Sequence, residues 1–224
     1  MNILITSGAT REYIDDVRFL TNVSTGGTGA KIADALAQLG HTVTLLHGEG
    51  SVLPRTLPTS ALPQFSSTEN LQLHLKQLLG TGKFDAVLQC AAVSDYRPAE
   101  TRQGKMSSYA PELTLRLVPT TKLLPELKSY APAGRPLTVI GFKLTSGADA
   151  DARLLAVSKL FAAGTVDAVI HNDMADLSTG DARPFRAYLS THQPPAQLAG
   201  LPGLIDWLHT RLATTGLAPG TQIR

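Results

Sequence analysis

The chain is poor in the residues that usually carry metal or redox chemistry. It contains one cysteine, Cys90, so an internal disulfide and a thiolate-rich metal site are both excluded. Cys90 ends an apolar stretch, which favours a small core residue over a nucleophile. Aromatic residues make up only 5% of the sequence, and no basic cluster is interleaved with them. We therefore expect no nucleic-acid partner.

Long apolar runs and a large net charge are also missing. No apolar stretch approaches the roughly 20 residues of a membrane-spanning helix, and the first apolar run has the length of a strand rather than of a signal peptide. The formal net charge is only +2 at pH 7 and is spread over the chain. These features predict a soluble, cytoplasmic protein without a membrane partner. The 224 residues suit one α/β domain, residues 1–224, with a full hydrophobic core.

The most informative stretch covers residues 2–40, where a predicted strand and helix are joined by an unusually long connection. Residues 2–6 are apolar and predict a buried strand. Apolar residues later recur at helical spacing up to a glycine that ends the helix: Ile32, Ala33, Leu36, Leu39 and Gly40. Two separate glycine turns, 7–10 and 24–29, flank the connection, whereas an ordinary dinucleotide-binding turn opens directly into its helix. The insertion is therefore expected over the carboxyl edge of the sheet, where open α/β folds bind ligands.

The second glycine turn predicts a phosphate site at the start of the helix. Ser24 or Thr25 is the expected N-cap, and Gly26 and Gly27 have no side chains to keep an anion from the unpaired N–H groups. The insertion brings three polar side chains to the same edge: Arg11, Arg18 and Asn22. The alternative is that the glycines only make turns.

Apolar periodicity predicts the remaining core elements. Strands are expected over 41–46, 84–90, 137–142 and 166–170, and helices over 68–79, 119–130, 149–163 and 201–212. Alternating strands and helices indicate an α/β fold, a Rossmann-like doubly wound parallel sheet. An edge strand is expected at about 185–190.

A small antiparallel excursion is expected at about 97–118. Residues 112–118 alternate leucine with polar residues, which predicts a half-buried antiparallel strand outside the parallel core. Residues 100–111 have no apolar period and suggest a mobile flap, from which Lys105 would swing onto a phosphate. Taken alone, however, a loop lysine is usually a solvated surface charge.

Other strand tips carry candidate ligand contacts. Ala91 and Ala92 leave room for a flat group against the backbone, and Asp95 either accepts hydrogen bonds from a ribose or only caps the next turn. Phe142 either stacks on a base or belongs to the core. His171 lacks a serine or cysteine partner, which favours a hydrogen-bonded structural role.

Together these motifs resemble phosphopantothenoylcysteine synthetase, the phosphopantothenate–cysteine ligase of coenzyme A biosynthesis, over nearly the whole chain. The matching motifs are residues 7–12, 15–22, 24–26, 91–96, 105–108 and 141–143, Asp167, and Asn172 with Asp173. The resemblance implies a two-step reaction. The carboxylate of 4'-phosphopantothenate attacks a nucleoside triphosphate, and the amine of cysteine then displaces the nucleotide from the acyl-nucleotide intermediate.

The resemblance also implies residue roles. Asn22 would handle the acyl-nucleotide and Lys105 the nucleotide phosphates. From their own chemistry, Arg18 or Arg11 is expected to clamp the phosphate of phosphopantothenate, with Asn22 as a further substrate contact. The expected nucleotide contacts are Gly8, Ser24, Gly26, Ala91, Ala92, Asp95, Phe142, Lys159 and the 120–123 segment. Mg²⁺ with CTP or ATP is expected, CTP being preferred as in bacterial members, and no flavin is expected. A homodimer is implied, with the 112–118 strand near the contact, and the flavin-dependent decarboxylase of the pathway would be a separate protein.

Several residues depart from the family pattern. Ala9 replaces a usual glycine, Gly27 a frequent lysine, and Ser107 with Ser108 a lysine pair typical of many members, while a second lysine in the 149–163 helix is missing. The departures at Gly27 and at Ser107 with Ser108 keep a non-catalytic nucleotide-binding regulator as an alternative. A short-chain reductase is the other alternative, but it needs a lysine four positions after a tyrosine, and none of the five tyrosines has one.

Overall fold

The centre of the molecule is an eight-stranded sheet. The structure is a computed structural model that describes residues 1–58, 62–107, 109 and 111–215. The described residues form these strands: β1 (Asn2–Ser7), β2 (Arg11–Tyr13), β3 (Phe19–Thr21), β4 (Thr42–Gly48), β5 (Gln64–Phe65), β6 (Ala86–Gln89), β7 (Tyr96–Pro98), β8 (Leu117–Pro119), β9 (Thr138–Thr145), β10 (Ala168–Asp173), β11 (Phe185–Tyr188) and β12 (Ala196–Leu198). The pairs β2–β3 and β7–β8 form small antiparallel ribbons outside the main sheet.

The helices cover both faces of the sheet. They are α1 (Gly27–Gln38), α2 (Thr68–Gly80), α3 (Ala150–Phe161) and α4 (Gly200–Thr215), with 3₁₀ helices at Leu124–Tyr130 and Met174–Ala182. None of the helices in the described part of the chain combines the length and apolar character needed to cross a membrane.

The strand order is β5-β4-β1-β6-β9-β10-β11-β12. The first six strands are parallel, and β11 and β12 run antiparallel at one edge. The chain builds outward from β1 to β5, then crosses back and builds outward in the other direction from β6. This reversal confirms the Rossmann-like doubly wound fold and places its switch point between the carboxyl ends of β1 and β6.

Alternation along β1 explains the two-sided core. Ile3 and Ile5 pack with α1 and α4 on one face, whereas Leu4 packs with α2 and α3 on the other, and all three side chains are fully buried. Helices contribute matching leucines, such as Leu36 from α1 and Leu75 from α2. Because β1 is buried on both faces, it reads as a continuous apolar run.

The antiparallel excursion is shorter than the sequence predicts. Only Leu117–Pro119 forms a strand in the 112–118 region, and it pairs with Tyr96–Pro98. Leu115 is half-buried, but Leu113 and Leu117 are 55% and 43% exposed, so the leucine face is less buried in the single chain than expected. The helix predicted over 119–130 is also wrong in its first half, because only Leu124–Tyr130 is helical and it is a 3₁₀ helix with Pro125 in its first turn.

The apolar stripe predicted on α3 is only partly buried. Val157 is fully buried against the sheet, whereas Leu154 and Leu155 are 40% and 59% exposed. The helix itself begins where it was expected, since the Asp149 side chain accepts a hydrogen bond from the N–H of Ala152.

Candidate active site

The tips of β1 and β6 are joined at the switch point. The N–H of Ala92 donates to the carbonyl of Gly8 at 2.9 Å, and the N–H of Thr10 donates back to Ala92 at 3.1 Å. The N–H of Ala91 donates to the Thr6 hydroxyl at 3.1 Å. Gly8, Ala91 and Ala92, three of the predicted nucleotide contacts, therefore lie side by side.

The start of α1 is shaped by a glycine rather than by a side-chain cap. Gly26 is the N-cap residue with φ 76°, and no side chain caps the helix there, so the prediction of Ser24 or Thr25 as N-cap is wrong. The Thr25 hydroxyl instead accepts from the N–H of Gly27 at 3.3 Å. Ser7 at the end of β1 donates to the carbonyl of Gly26 at 2.7 Å and fixes the turn against the sheet. The left-handed conformation at Gly26 explains why a serine or threonine does not occupy the cap position.

The two glycine turns touch each other. A Cβ placed on Gly26 would lie 3.0 Å from the backbone nitrogen of Gly8 and 2.9 Å from the Cβ of Ser51, and a Cβ on Gly8 would meet the same Ser51 atom at 2.9 Å. Such close approach leaves room only for glycine at both positions. The amino terminus of α1 therefore lies beside the tips of β1 and β6.

The insertion between the turns forms the β2–β3 hairpin, which places Asn22 at the same tip. The Thr21 hydroxyl donates to the carbonyl of Thr10 at 2.7 Å. The Asn22 side-chain amide donates to the carbonyl of Val93 at 3.1 Å, directly after Ala91 and Ala92. The sequence prediction that Asn22, the glycine turn and the β6 tip come together is therefore matched by the geometry.

A buried polar network, which the sequence analysis did not identify, anchors this hairpin. The Glu12 carboxylate is 4% exposed and accepts from the Thr68 hydroxyl at 2.6 Å and from the Thr68 N–H at 3.0 Å, at the start of α2. The Thr10 hydroxyl donates to Ser94 at 3.2 Å and accepts from the N–H of Ser94 at 3.0 Å. The charged Glu12 between the strand residues Arg11 and Tyr13 was the one sign of this network in the sequence, but the sequence alone does not identify its partner Thr68.

Arg18 is bound within the hairpin turn. Its Nη1 donates to the buried carboxylate of Asp15 at 2.6 Å and to the carbonyl of Met106 at 3.3 Å. Burial raises the pKa of Asp15, but hydrogen bonds from the N–H groups of Met106, Val17 and Arg18 and from the Arg18 side chain outweigh it and lower the pKa to about 2. Asp15 is therefore ionised at neutral pH and holds Arg18 in place.

The same turn holds the loop that carries Lys105. The N–H of Gly104 donates to Asp16 at 2.8 Å, and the N–H of Met106 donates to Asp15 at 3.1 Å. The exposed Lys105 side chain thus extends from a segment that is tethered on both sides. Ser108, the last residue of this predicted motif, lies outside the described residues.

Other predicted contacts occupy the rim. Asp95 is exposed and forms an ion pair with Lys122. Phe142 is half-buried on β9 and packs against the core on the α1 side of the sheet, while Lys159 is exposed in the last turn of α3. Cys90 packs against the same core, and burial raises the pKa of its thiol far above the usual range, which supports a structural role.

A cavity of about 760 Å³ lies beside the site, between the hairpin, the start of α2 and the β7–β8 ribbon. Four carboxylates line it: Glu12, Asp15, Asp16 and Glu69. Of the predicted nucleotide contacts, only Thr120 and Thr121 of the 120–123 segment line this cavity. The negative charge of its four carboxylates disfavours a triphosphate there. In the described part of the chain, no group of three or more histidine, cysteine or acidic side chains is arranged to hold a metal ion.

Comparisons with known proteins give one consistent result. The model of the DNA/pantothenate metabolism flavoprotein C-terminal domain matches residues 1–186. The coenzyme A biosynthesis bifunctional protein CoaBC of Thermococcus kodakarensis is 33% identical over 172 residues, which is 77% of this chain and 41% of that protein. CoaBC of Bacillus subtilis is 33% identical over 174 residues, 77% of this chain and 40% of that protein. The chain thus spans about two fifths of the length of these curated relatives.

Solved structures have the same fold over almost the entire chain. The DNA/pantothenate metabolism flavoprotein from Streptococcus pneumoniae superimposes with a TM-score of 0.82 at 25% identity, covering 96% of this chain and 99% of that chain. The C-terminal domain of a CoaBC bifunctional protein gives a TM-score of 0.71 at 24% identity, covering 95% and 94% of the two chains, and so supports the fold.

Proposed function

The chain belongs to the family of the DNA/pantothenate metabolism flavoprotein C-terminal domain, and from this premise we propose that it is a phosphopantothenate–cysteine ligase of coenzyme A biosynthesis. The carboxylate of 4'-phosphopantothenate would attack a nucleoside triphosphate and release pyrophosphate. The amine of cysteine would then displace the nucleoside monophosphate and leave an amide. The observation that carries this proposal is the hydrogen bond from Asn22 to the carbonyl of Val93, which joins the insertion to the β6 tip.

The start of α1 suits an anionic group. Its first N–H groups and the positive end of the helix dipole would face a bound anion, and Gly26 has no side chain to obstruct it. Asn22 supplies a neutral amide beside this position, which can hold an acyl-phosphate oxygen without competing as a nucleophile. We propose that these groups bring the two anionic reactants together.

Positive charge is needed because a carboxylate and a triphosphate repel each other. Lys105 would contact the nucleotide phosphates from the tethered loop. Arg18 uses Nη1 for its contacts with Asp15 and Met106, and no described contact uses its other guanidinium N–H groups. We propose that Arg18 positions the loop that carries Lys105 and also binds the phosphate of phosphopantothenate. Because hydrogen bonds fix the backbone of its neighbours Gly104 and Met106, Lys105 would reach the phosphates by moving its side chain.

The nucleotide would lie along the rim of the sheet. Asp95 would hold the ribose after exchanging its Lys122 partner, and Phe142 and Lys159 would contact the rest of the nucleotide. We propose CTP over ATP. We propose that Mg²⁺ binds together with the nucleotide, because Mg²⁺ usually keeps phosphate and water ligands and needs few protein carboxylates.

The exposed apolar side chains on the antiparallel excursion support a homodimer. Tyr96, Leu113 and Leu117 are 55%, 55% and 43% exposed, and they lie on or next to the β7–β8 ribbon. A second copy of the chain would cover them. A separate protein would supply the decarboxylation step of the pathway.

The experiment that tests the function supplies the purified protein with 4'-phosphopantothenate, cysteine, Mg²⁺ and either CTP or ATP, and measures pyrophosphate release. Release that requires both phosphopantothenate and nucleotide supports the ligase, and the faster nucleotide identifies the preferred one. No release with either nucleotide would favour the non-catalytic regulator. Oxidation of a nicotinamide cofactor under the same conditions would favour the reductase.

The variant Asn22→Asp tests the role of the amide. A carboxylate next to the acyl-phosphate would repel it, so we expect the amount of acyl-nucleotide trapped in the absence of cysteine to change while nucleotide affinity stays within about threefold. The control is Asn2→Asp, an exposed asparagine at the opposite end of β1. Loss of nucleotide binding in Asn22→Asp would refute the assigned role.

A further inference from the structure

A row of basic side chains crosses three strands on the sheet face opposite to α1. In the strand register, Lys143 of β9 neighbours His171 of β10, which in turn neighbours Arg186 of β11. Residues paired in this way point to the same face of a sheet. Val169 and Tyr188, two positions away on β10 and β11, belong to the core covered by α3, so the row lies on that face.

Arg153 adds a fourth basic side chain from above the sheet. It lies in the first turn of α3, which packs on β9 and β10. Burial, Arg186 and Arg153 together lower the pKa of His171 to about 4, in that order of influence, while Asp173 and Asp176 oppose the shift. Arg186 is paired with His171 across β10 and β11, and Arg153 lies on the helix that packs over β10.

Asp173 is a buried carboxylate beside this cluster, and other groups already donate hydrogen bonds to it. Asp173 accepts from the Thr145 hydroxyl at 2.5 Å and from the N–H groups of Gly147, Ala148 and Ala175. The Thr145 hydroxyl donates its hydrogen to Asp173, so its oxygen accepts a hydrogen bond from the Nε2–H of His171 at 2.8 Å. Among the described residues, neither Arg153 nor Arg186 forms an ion pair with any carboxylate.

Three buried nitrogen atoms of the cluster have no partner in the described part of the chain. They are Nε of Arg153, Nδ1 of His171 and Nη1 of Arg186. His171 is fully buried, so its Nδ1 cannot turn to bulk water. Like charges on neighbouring strands repel, and buried polar groups without partners are costly, so the cluster calls for an oxygen-rich anion.

We propose that Arg153, His171 and Arg186 form a binding site for a phosphate-class oxyanion. The two guanidinium groups donate to the oxygens, as they do in most phosphate sites, and Lys143 adds a third positive charge. A phosphate that carries one proton also supplies a hydroxyl, which donates to the bare Nδ1 of His171. The site is separate from the start of α1, and it does not depend on the ligase reaction.

The test titrates the whole chain with inorganic phosphate in a chloride-free buffer, followed by calorimetry and by the nitrogen NMR signals of the His171 imidazole. We expect the Nδ1 signal of His171 to move as phosphate binds. Arg153→Gln and Arg186→Gln should each weaken binding by at least about tenfold, because each removes a charge-assisted hydrogen bond. The lysine variants at these positions should keep part of the affinity. Arg55→Gln, which changes an exposed arginine elsewhere, should bind like the wild type.

A parallel titration with CTP identifies the source of the phosphate group. If free phosphate moves the His171 signal, the site takes a free anion; if only CTP moves it, and the arginine variants abolish the effect, the site takes the phosphate end of a nucleotide. The proposal is overturned if neither ligand moves the His171 signal. It is equally overturned if the Arg153→Gln, Arg186→Gln double variant, folded by circular dichroism, binds phosphate as tightly as the wild type.

Discussion

Gly26 and Gly134 provide a matched pair for testing how the candidate site is packed. Both lie in the left-handed region at almost the same φ, 76° and 77°. A Cβ on Gly134 would meet nothing within 4 Å, whereas a Cβ on Gly26 would meet Ser51 at 2.9 Å and Gly8 at 3.0 Å. Alanine at both positions therefore has the same backbone cost but a different packing cost.

The magnitudes follow from these two terms. A left-handed conformation costs an alanine about 1–2 kcal/mol, which should be the whole effect of Gly134→Ala. Gly26→Ala adds overpacking against the backbone of Gly8, worth about 1–3 kcal/mol, for a total of about 2–5 kcal/mol. The added cost is large against an overall stability of about 5–15 kcal/mol.

The assay is urea unfolding of the wild type and both variants, with ligase activity measured in parallel. We expect Gly26→Ala to lose more unfolding free energy than Gly134→Ala, and to lose activity because the start of α1 moves away from the β1 tip. Gly134→Ala should keep its activity. Equal losses of stability in the two variants would refute the close contact between the two glycine turns.

Three further predictions concern the groups around the site. The pKa of Asp15 is about 2 in the folded protein against an ordinary 3.8. The ionised carboxylate therefore stabilises the fold above pH 3.8, and this stabilisation is lost as the pH falls through 2. Acid unfolding of Asp15→Asn should lack this pH-dependent loss of stability. Thr68→Val removes a hydrogen bond to the buried carboxylate of Glu12 and should lower the urea unfolding free energy by about 1–3 kcal/mol; an unchanged midpoint would contradict the network. Lys105→Met should lower kcat about 10²–10³-fold with unchanged stability, whereas the exposed control Lys83→Met should leave kcat unchanged.

The sequence predicts the parallel core well because burial leaves a strong pattern there. β1 and β6 are apolar on both faces. The predicted start of α2 at Thr68 is also confirmed, and its N-cap Ser67 accepts a hydrogen bond from the N–H of Asn70. The carboxyl ends of the parallel strands β1 and β6 must lie at the same edge of the sheet. The proximity of Gly8 to Ala91 and Ala92 can therefore be predicted from the sequence.

The ribbons could not be predicted with the same success because their stability comes from distant contacts. The strands β2, β3 and β8 have three residues each, too few for a period-two pattern. The leucine alternation over 112–118 predicts a half-buried strand, yet most of it is unpaired in the single chain. The prediction of Ser24 or Thr25 as the N-cap of α1 was based on the identity of their side chains. The structure has Gly26 at this position instead, because the backbone there is left-handed.

The insertion gives Asn22 a rigid position rather than a mobile one. A free loop of twelve residues would spread an amide over many orientations, and ordering it during the reaction would cost conformational entropy. The hairpin removes this cost beforehand: Glu12 anchors it to the start of α2, and Thr21 and Asn22 bond to the β1 and β6 tips. An amide held on two sides by buried or backbone partners is preorganised, which is what the role proposed for Asn22 on a short-lived acyl-nucleotide requires. This geometry explains why the strand does not run directly into α1.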